Sequence, residues 1–254
     1  MRQPSPPRGE MKNVLLLKAG DAANAVKLSV GDYEHWFVES LAGGCRFDIL
    51  HVHRGARLPD SAEGYDAVMM TGSPASVTQP EPWMERSAEF MVNAAAHGLP
   101  VLGVCFGHQL LAYAHGARVV RNTHGREIGT VEVALSEAGR EDPLFHGLPE
   151  RITVQATHED IVEHPPDGAT VLAGNANTAV QALAFGPLIR GVQFHPEVHP
   201  AAMRALILAR ADKLEVEATS RGHAPGERVN RLLAGLAPTP AGRRILENFV
   251  ERFT

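Results

Sequence analysis

The chain has 254 residues, a formal charge of −5 with neutral histidines, 44% hydrophobic residues and 21% charged residues. That length holds one large α/β domain or two small ones, and the balance is that of a soluble globular protein. No basic stripe supports a nucleic-acid partner, no apolar run reaches the length of a membrane span, and two cysteines, Cys45 and Cys105, are too few for a disulfide scaffold, so a reducing cytoplasm is the expected location.

Met1 to Glu10 is Pro-rich and polar without the apolar core of a signal peptide, and is expected to be a flexible tail. Asn13–Leu17 is a short continuous apolar run, as a strand covered on both faces requires. Asp32 to Leu41 predicts a helix, Phe47 to Val52 a second strand and Tyr65 to Met70 a third, which runs into Thr71-Gly72-Ser73-Pro74. Pro82 to His97 spaces Trp83, Met84, Phe90, Met91 and Ala94 along one helical face. Pro100 to Val104 is the fourth strand, followed at once by a helix from Phe106 to His115. Strands alternating with helices predict a mostly parallel, flavodoxin-like sheet with helices on both faces.

After Gly116 the texture becomes β-rich. Ala117–Arg121, Gly129–Leu135, Arg151–Ala156, Thr170–Ala173, Ala179–Ala184 and Leu188–Phe194 read as strands. They are expected partly to continue the sheet and partly to form a small antiparallel layer. His199 to Glu217 predicts one helix, closing a domain of residues 11–217. After a polar break, Arg228–Leu236 and Ala241–Phe253 predict two helices in an extension of residues 218–254. Their apolar faces require a docking surface, on the domain or on a second copy of the chain, so a homo-oligomer stays open.

The most informative stretch is Val101-Leu102-Gly103-Val104-Cys105-Phe106-Gly107-His108-Gln109. An apolar run ends in Gly-x-Cys-x-Gly and a helix begins, the form of a nucleophile elbow with Cys in place of Ser. Such a turn strains the central residue and leaves little room for a Cβ two positions either side. The helix N-terminus beneath the thiol favours the thiolate. Taken alone, the pattern fits a small buried cysteine equally well.

A cysteine nucleophile needs a base and a group to orient it. Val192-Gln193-Phe194-His195-Pro196-Glu197 supplies both types: a strand ends at His195, and Glu197 projects to the same side of an extended segment. A carboxylate there selects the tautomer of the imidazole and stabilises its protonated form. In a parallel sheet, Thr71-Gly72-Ser73-Pro74 reaches the same edge as Cys105. Its backbone N–H groups, with that of Phe106, could then face a developing oxyanion.

Together these blocks closely resemble the three signature blocks of class I (triad) glutamine amidotransferases. Gly125-Arg126-Glu127-Ile128-Gly129 and Gln155-Ala156-Thr157-His158-Glu159-Asp160 further resemble blocks of the GMP-synthase-like branch, and the likeness runs from about Asn13 to about Val198. The resemblance implies hydrolysis of the glutamine side-chain amide with Cys105 as nucleophile, His195 as acid and base, and Glu197 orienting it. It implies Phe106 and Ser73 as oxyanion donors, Gly72 as the residue shaping their loop, and Gln109 and His158 as substrate-binding groups. It calls for no metal and no cofactor.

Two departures stand out. Many members carry Gly-Gly-Pro where this chain has Gly72-Ser73-Pro74, and Ser-His-Gly-Asp where it has Thr157-His158-Glu159-Asp160. Only about 55 residues follow the His-Pro-Glu block, too few for an ATP-pyrophosphatase domain, and no Walker pattern occurs. A synthetase accepting the ammonia, if one exists, is therefore expected to be a separate chain.

Three other readings compete. A γ-glutamyl peptidase keeps the chemistry and changes the substrate. A non-catalytic regulatory module keeps only the fold. A metal hydrolase would use His51-Val52-His53 or His195-x-x-x-His199, but isolated histidine pairs are weak motifs and neither matches the order of a zinc peptidase. Arg126 and Glu127 are expected to form a structural ion pair, and His108 and His115 to be packing or surface groups.

Overall fold

The apolar runs become strands with both faces covered. In the computed structural model, which describes residues 11–220, 222, 224 and 226–254, β1 spans Lys12–Lys18, β2 Cys45–His51, β3 Ala67–Met70 and β4 Val101–Val104. Their side chains alternate between two core layers. Val14, Leu16, Ala67, Met69, Leu102 and Val104 enter one layer. Leu15, Leu17, Val68, Met70 and Val101 enter the other. Burying each such Leu, Val or Met contributes about 1.5–3 kcal/mol, which is why uninterrupted apolar runs stand at the centre of the sheet.

The helices α1 (Asn24–Val30) and α2 (Tyr33–Ser40) lie between β1 and β2 in sequence, α3 (Pro82–Ala96) lies between β3 and β4, and α4 (Phe106–Ala114) follows β4. Phe37 and Leu41, on α2 and at its end, cover the first layer. Met84 and Met91 of α3 and Leu110 and Leu111 of α4 cover the second. Helix α2 starts at a capping box: Asp32 accepts from its own helix end while its backbone N–H donates to His35 Nδ1 at 3.1 Å.

The second half adds β5 (Val119–Arg121), β6 (Glu127–Leu135), β7 (Arg151–His158), β8 (Asp160–Val162), β9 (Ala169–Gly174), β10 (Ala182–Phe185) and β11 (Ile189–Val192). Among the described residues nine strands form one sheet in the order β2-β1-β3-β4-β11-β10-β9-β6-β7, and β5 pairs with β8 apart from it. The sheet is parallel from β2 to β11 and antiparallel from β11 to β7. This is the flavodoxin-like parallel sheet with a small antiparallel layer that the pattern predicts. Because β3, β4 and β11 run in parallel, the segments following all three emerge at one edge, where open α/β sheets bind ligands.

Several local expectations are corrected. The helix predicted across His199–Glu217 is two, α6 (Pro200–Ala209) and α7 (Ala211–Thr219), separated at Arg210 with φ −109° and ψ 9°. Arginine and alanine are good helix formers, so periodicity does not register that break. Helices α1 and α5 (Glu137–Glu141) and strand β8 are too short to stand out in the pattern. The strand predicted over Phe47–Val52 ends at His51, and Val52 opens a 3-10 turn, Val52–Arg54.

The last two helices are α8 (Glu227–Ala234) and α9 (Pro240–Phe253). Ile245, Leu246 and Phe249 of α9 are fully buried in the first core layer. Leu232 and Leu233 of α8 pack beside α6 and α1 residues in a third cluster. Both helices therefore dock on the domain itself. The tail expected over residues 1–10 lies outside the described residues, and no described helix is long and apolar enough to cross a membrane.

Candidate active site

Cys105 sits between the end of β4 and the start of α4 with φ +51°, and it is the only non-glycine at positive φ among the described residues. Such a conformation costs about 1–3 kcal/mol and persists only where the surroundings impose it. They do so here. The Cys105 N–H donates to the Val192 carbonyl of β11 at 2.8 Å, and its carbonyl accepts from Gln109 N–H at 3.0 Å. The flanking glycines are sterically required. A Cβ on Gly103 would meet the Gly107 carbonyl oxygen at 2.4 Å, and a Cβ on Gly107 would meet the Met70 carbonyl oxygen at 2.9 Å. The second clash is with the neighbouring strand β3 rather than with the turn itself. Phe106, the first residue of α4, is buried and stacks on Trp83 with ring centroids 5.5 Å apart.

His195 follows β11, and its N–H donates to the Gln155 carbonyl of β7 at 2.8 Å. Its Nδ1 lies 2.7 Å from Glu197 Oε1, and both side chains are buried. Cys105 interacts with the same imidazole. Burial alone would lower the pKa of His195, but the charges of Glu197 and Cys105, with the hydrogen bond the ring gives Glu197, push it up to about 10.

Gly72 fills the space beside the ring and the thiol. A Cβ there would come within 2.7 Å of His195 Cε1 and 3.6 Å of Cys105 Cβ. Ser73 is held by its hydroxyl, which donates to the Ala19 carbonyl at 2.8 Å and accepts from Ala75 N–H at 3.0 Å. Serine in place of glycine thus fastens the loop after β3 to the loop after β1. The approach is tight enough that Gly20 has Pro74 Cδ 2.5 Å from where its Cβ would stand.

A cavity of about 390 Å³ opens over Cys105 and Phe106 and reaches Gln109, His158 and Ser73. Gly72, His195 and Glu197 do not line it; the contacts at Gly72 and the His195–Glu197 bond place them behind Cys105. Gln109 is held from behind: its Nε2 donates to the Asp160 carbonyl at 2.8 Å and to Gln193 Oε1 at 3.0 Å. His158 is buried against Glu127, with Nε2 and Oε2 2.9 Å apart.

Glu127 is thus a partner of His158, not of Arg126. Its carboxylate also accepts from Asn175 and Gln181, each at 2.7 Å. Burial opposes ionisation of Glu127, but the bond to His158 and these amides hold its pKa below the ordinary carboxylate value. Arg126 instead donates to Glu159 and to Glu217. Glu159, where many family members have glycine, also binds Arg121 and Lys213 and so ties β5, the loop before β6 and α7 across the cavity mouth. Sequence reasoning missed this clasp because its four members are scattered between positions 121 and 213; only the departure at Glu159 hinted at it.

Against known proteins, residues 31–212 match the family model for glutamine amidotransferase class-I. The chain is 34% identical over 170 residues to a glutamine-hydrolyzing GMP synthase subunit from Saccharolobus solfataricus, covering 66% of this chain and 85% of that one. It is 39% identical over 141 residues to the GMP synthase of Thermomicrobium roseum, covering 56% of this chain and only 25% of that longer protein. A glutamine amidotransferase structure from Thermotoga maritima superposes with a TM-score of 0.70 at 26% identity, covering 96% of this chain and all of that one. The chain belongs to the class I glutamine amidotransferase family.

Proposed function

We propose that the chain hydrolyses the side-chain amide of glutamine through Cys105, His195 and Glu197. The observation that carries this is the serial arrangement of a strained, cavity-facing thiol, a buried imidazole and a carboxylate 2.7 Å behind it. Cys105 Sγ attacks the amide carbon and the C–N bond breaks. His195 gives its proton to the departing nitrogen, which leaves as ammonia, and a γ-glutamyl thioester remains. Water then attacks the thioester, His195 takes its proton, and glutamate and the thiol are released.

Glu197 keeps the ring in the orientation that presents Nε2 to sulfur. The N–H groups of Phe106 and Ser73 take the oxyanion, the first because a helix's initial N–H groups have no intrahelical acceptor. Gln109 and His158, each fixed by bonds on its far side, receive the amino-acid end of the substrate.

The named relatives support a GMP-synthase-like role in which ammonia passes to a separate synthetase chain. Mass spectrometry after treatment with a glutamine-analogue electrophile tests the assignment. Labelling confined to Cys105 and prevented by glutamine is expected. Labelling at another residue overturns the mechanism, and protection only by γ-glutamyl peptides replaces glutamine as the substrate.

A further inference from the structure

Asp21, His51 and His53 converge at the sheet edge beyond β1 and β2, outside the cavity at Cys105. One ligand-type atom from each lies within 4.8 Å of the other two. Strand β2 ends at His51, and the 3-10 turn Val52–Arg54 brings His53 back toward the loop that follows β1.

The orientation of His53 is specific. Its Nδ1 is 2.9 Å from the Lys18 carbonyl, which can only accept, so Nδ1 carries the proton. Its Nε2 is 3.2 Å from Asp21 Oδ2. In the neutral ring, that places a nitrogen lone pair against a carboxylate oxygen, and a cation or a second proton has to separate them. A carbonyl behind an imidazole whose other nitrogen faces outward is the usual support for a metal-bound histidine. The spacing fits as well, since two ligand atoms of a tetrahedral zinc site stand about 3.3 Å apart.

His51 supplies an independent observation. Its Nδ1 is buried and makes no hydrogen bond.

We propose that Asp21, His51 and His53 bind a zinc-class divalent cation, with the remaining coordination position open to water. Two imidazoles and one carboxylate suit zinc and its neighbours rather than magnesium or calcium, which prefer all-oxygen sites. The surrounding charges permit the ion. Lys18 and Arg54 face the three carboxylates Asp21, Asp32 and Glu34. Lys18 Nζ stays on Asp21 Oδ1 at 2.9 Å, while Arg54, whose side chain is 56% exposed, swings to solvent and frees Oδ2 for the metal.

The test uses zinc alone, in competition with a chromophoric chelator. It is run on Cys105→Ala, so that the thiol beside His195 offers no second zinc site. One equivalent is expected to bind at micromolar concentration or below, with a rise in the melting temperature and no comparable response to magnesium. His51→Gln, His53→Gln and Asp21→Asn, added singly and shown by circular dichroism to keep the fold, are expected to weaken zinc at least tenfold. Failure of Cys105→Ala to bind zinc overturns the proposal. So does undiminished binding in the folded histidine variants, or magnesium bound as tightly as zinc.

Discussion

Glu197 Oε1 stands 2.7 Å from Nδ1 of His195, and the pair is brought together not by the extended segment the sequence suggests but by a turn at Pro196 and Glu197, beyond the end of β11 at Val192. The carboxylate touches Nδ1, so any effect it has on the proposed hydrolysis runs through the imidazole. Glu197→Gln keeps the shape and removes the charge. It is expected to lower kcat by about 10²–10⁴-fold, the range set by losing a general acid and base, with a much smaller change in KM. Steady-state glutaminase assays read both, and an unchanged kcat would remove Glu197 from the mechanism.

The elevated pKa of His195 makes stability depend on pH in a defined direction. A histidine with a folded-state pKa near 10 binds its proton more tightly in the folded chain than in the unfolded one, whose value is about 6.5. Its contribution is fully present below about pH 6.5 and is lost as the pH rises through about 10. Because Cys105 is one source of the elevation, Cys105→Ala is expected to lower the pKa of His195 and flatten the alkaline decline in stability. Histidine NMR titration and denaturant melts between pH 6 and 10 measure the two effects. Equal slopes in both proteins would contradict the coupling.

Gly72 and Gly103 should separate activity from stability. A methyl on Gly72 is directed at His195 Cε1, a side-chain atom able to shift, whereas one on Gly103 is directed at the backbone of Gly107. Gly72→Ala is expected to displace the imidazole and lower kcat at least tenfold while costing about 1 kcal/mol or less in stability. Gly103→Ala is expected to cost about 1–3 kcal/mol, the usual penalty for overpacking. Urea denaturation beside kinetics distinguishes them, and the reverse ranking in stability would refute the contact argument.

Cys105 holds a conformation that glycine adopts freely. Cys105→Gly and Cys105→Ala are both expected to lack hydrolysis, and the glycine variant should be more stable than the alanine variant by about 1 kcal/mol, since it relieves the positive φ. A glycine variant less stable than the alanine variant would mean that the turn carries no strain.

How far the fold and site can be read from the sequence follows how local each signal is. Leu15 to Leu17, Val68 to Met70 and Val101 to Val104 announce themselves because strands buried on both faces need consecutive apolar residues. The elbow is legible because its steric demand falls on Gly103 and Gly107 within five positions. Glu127 is misread because proximity in sequence suggests Arg126, whereas neighbouring strand residues project to opposite faces and Glu127 is opposite His158 across the β6–β7 ladder. The break at Arg210 leaves no mark in helical periodicity, and neither does the clasp around Glu159, whose partners meet only when three elements pack.

The placement of the two thiols carries one more consequence. Cys45 opens β2 and Cys105 follows β4, and through β1 and β3 these strands run in parallel, so the cysteines stand at opposite edges of the sheet. A strand rises about 3.3 Å per residue, so their separation exceeds the reach of a disulfide. Oxidative stress therefore has no intramolecular cross-link in which to park the chain reversibly. With Cys105 only 5% exposed, small peroxides reach it more readily than bulky disulfides. Its redox sensitivity is governed by the width of its doorway.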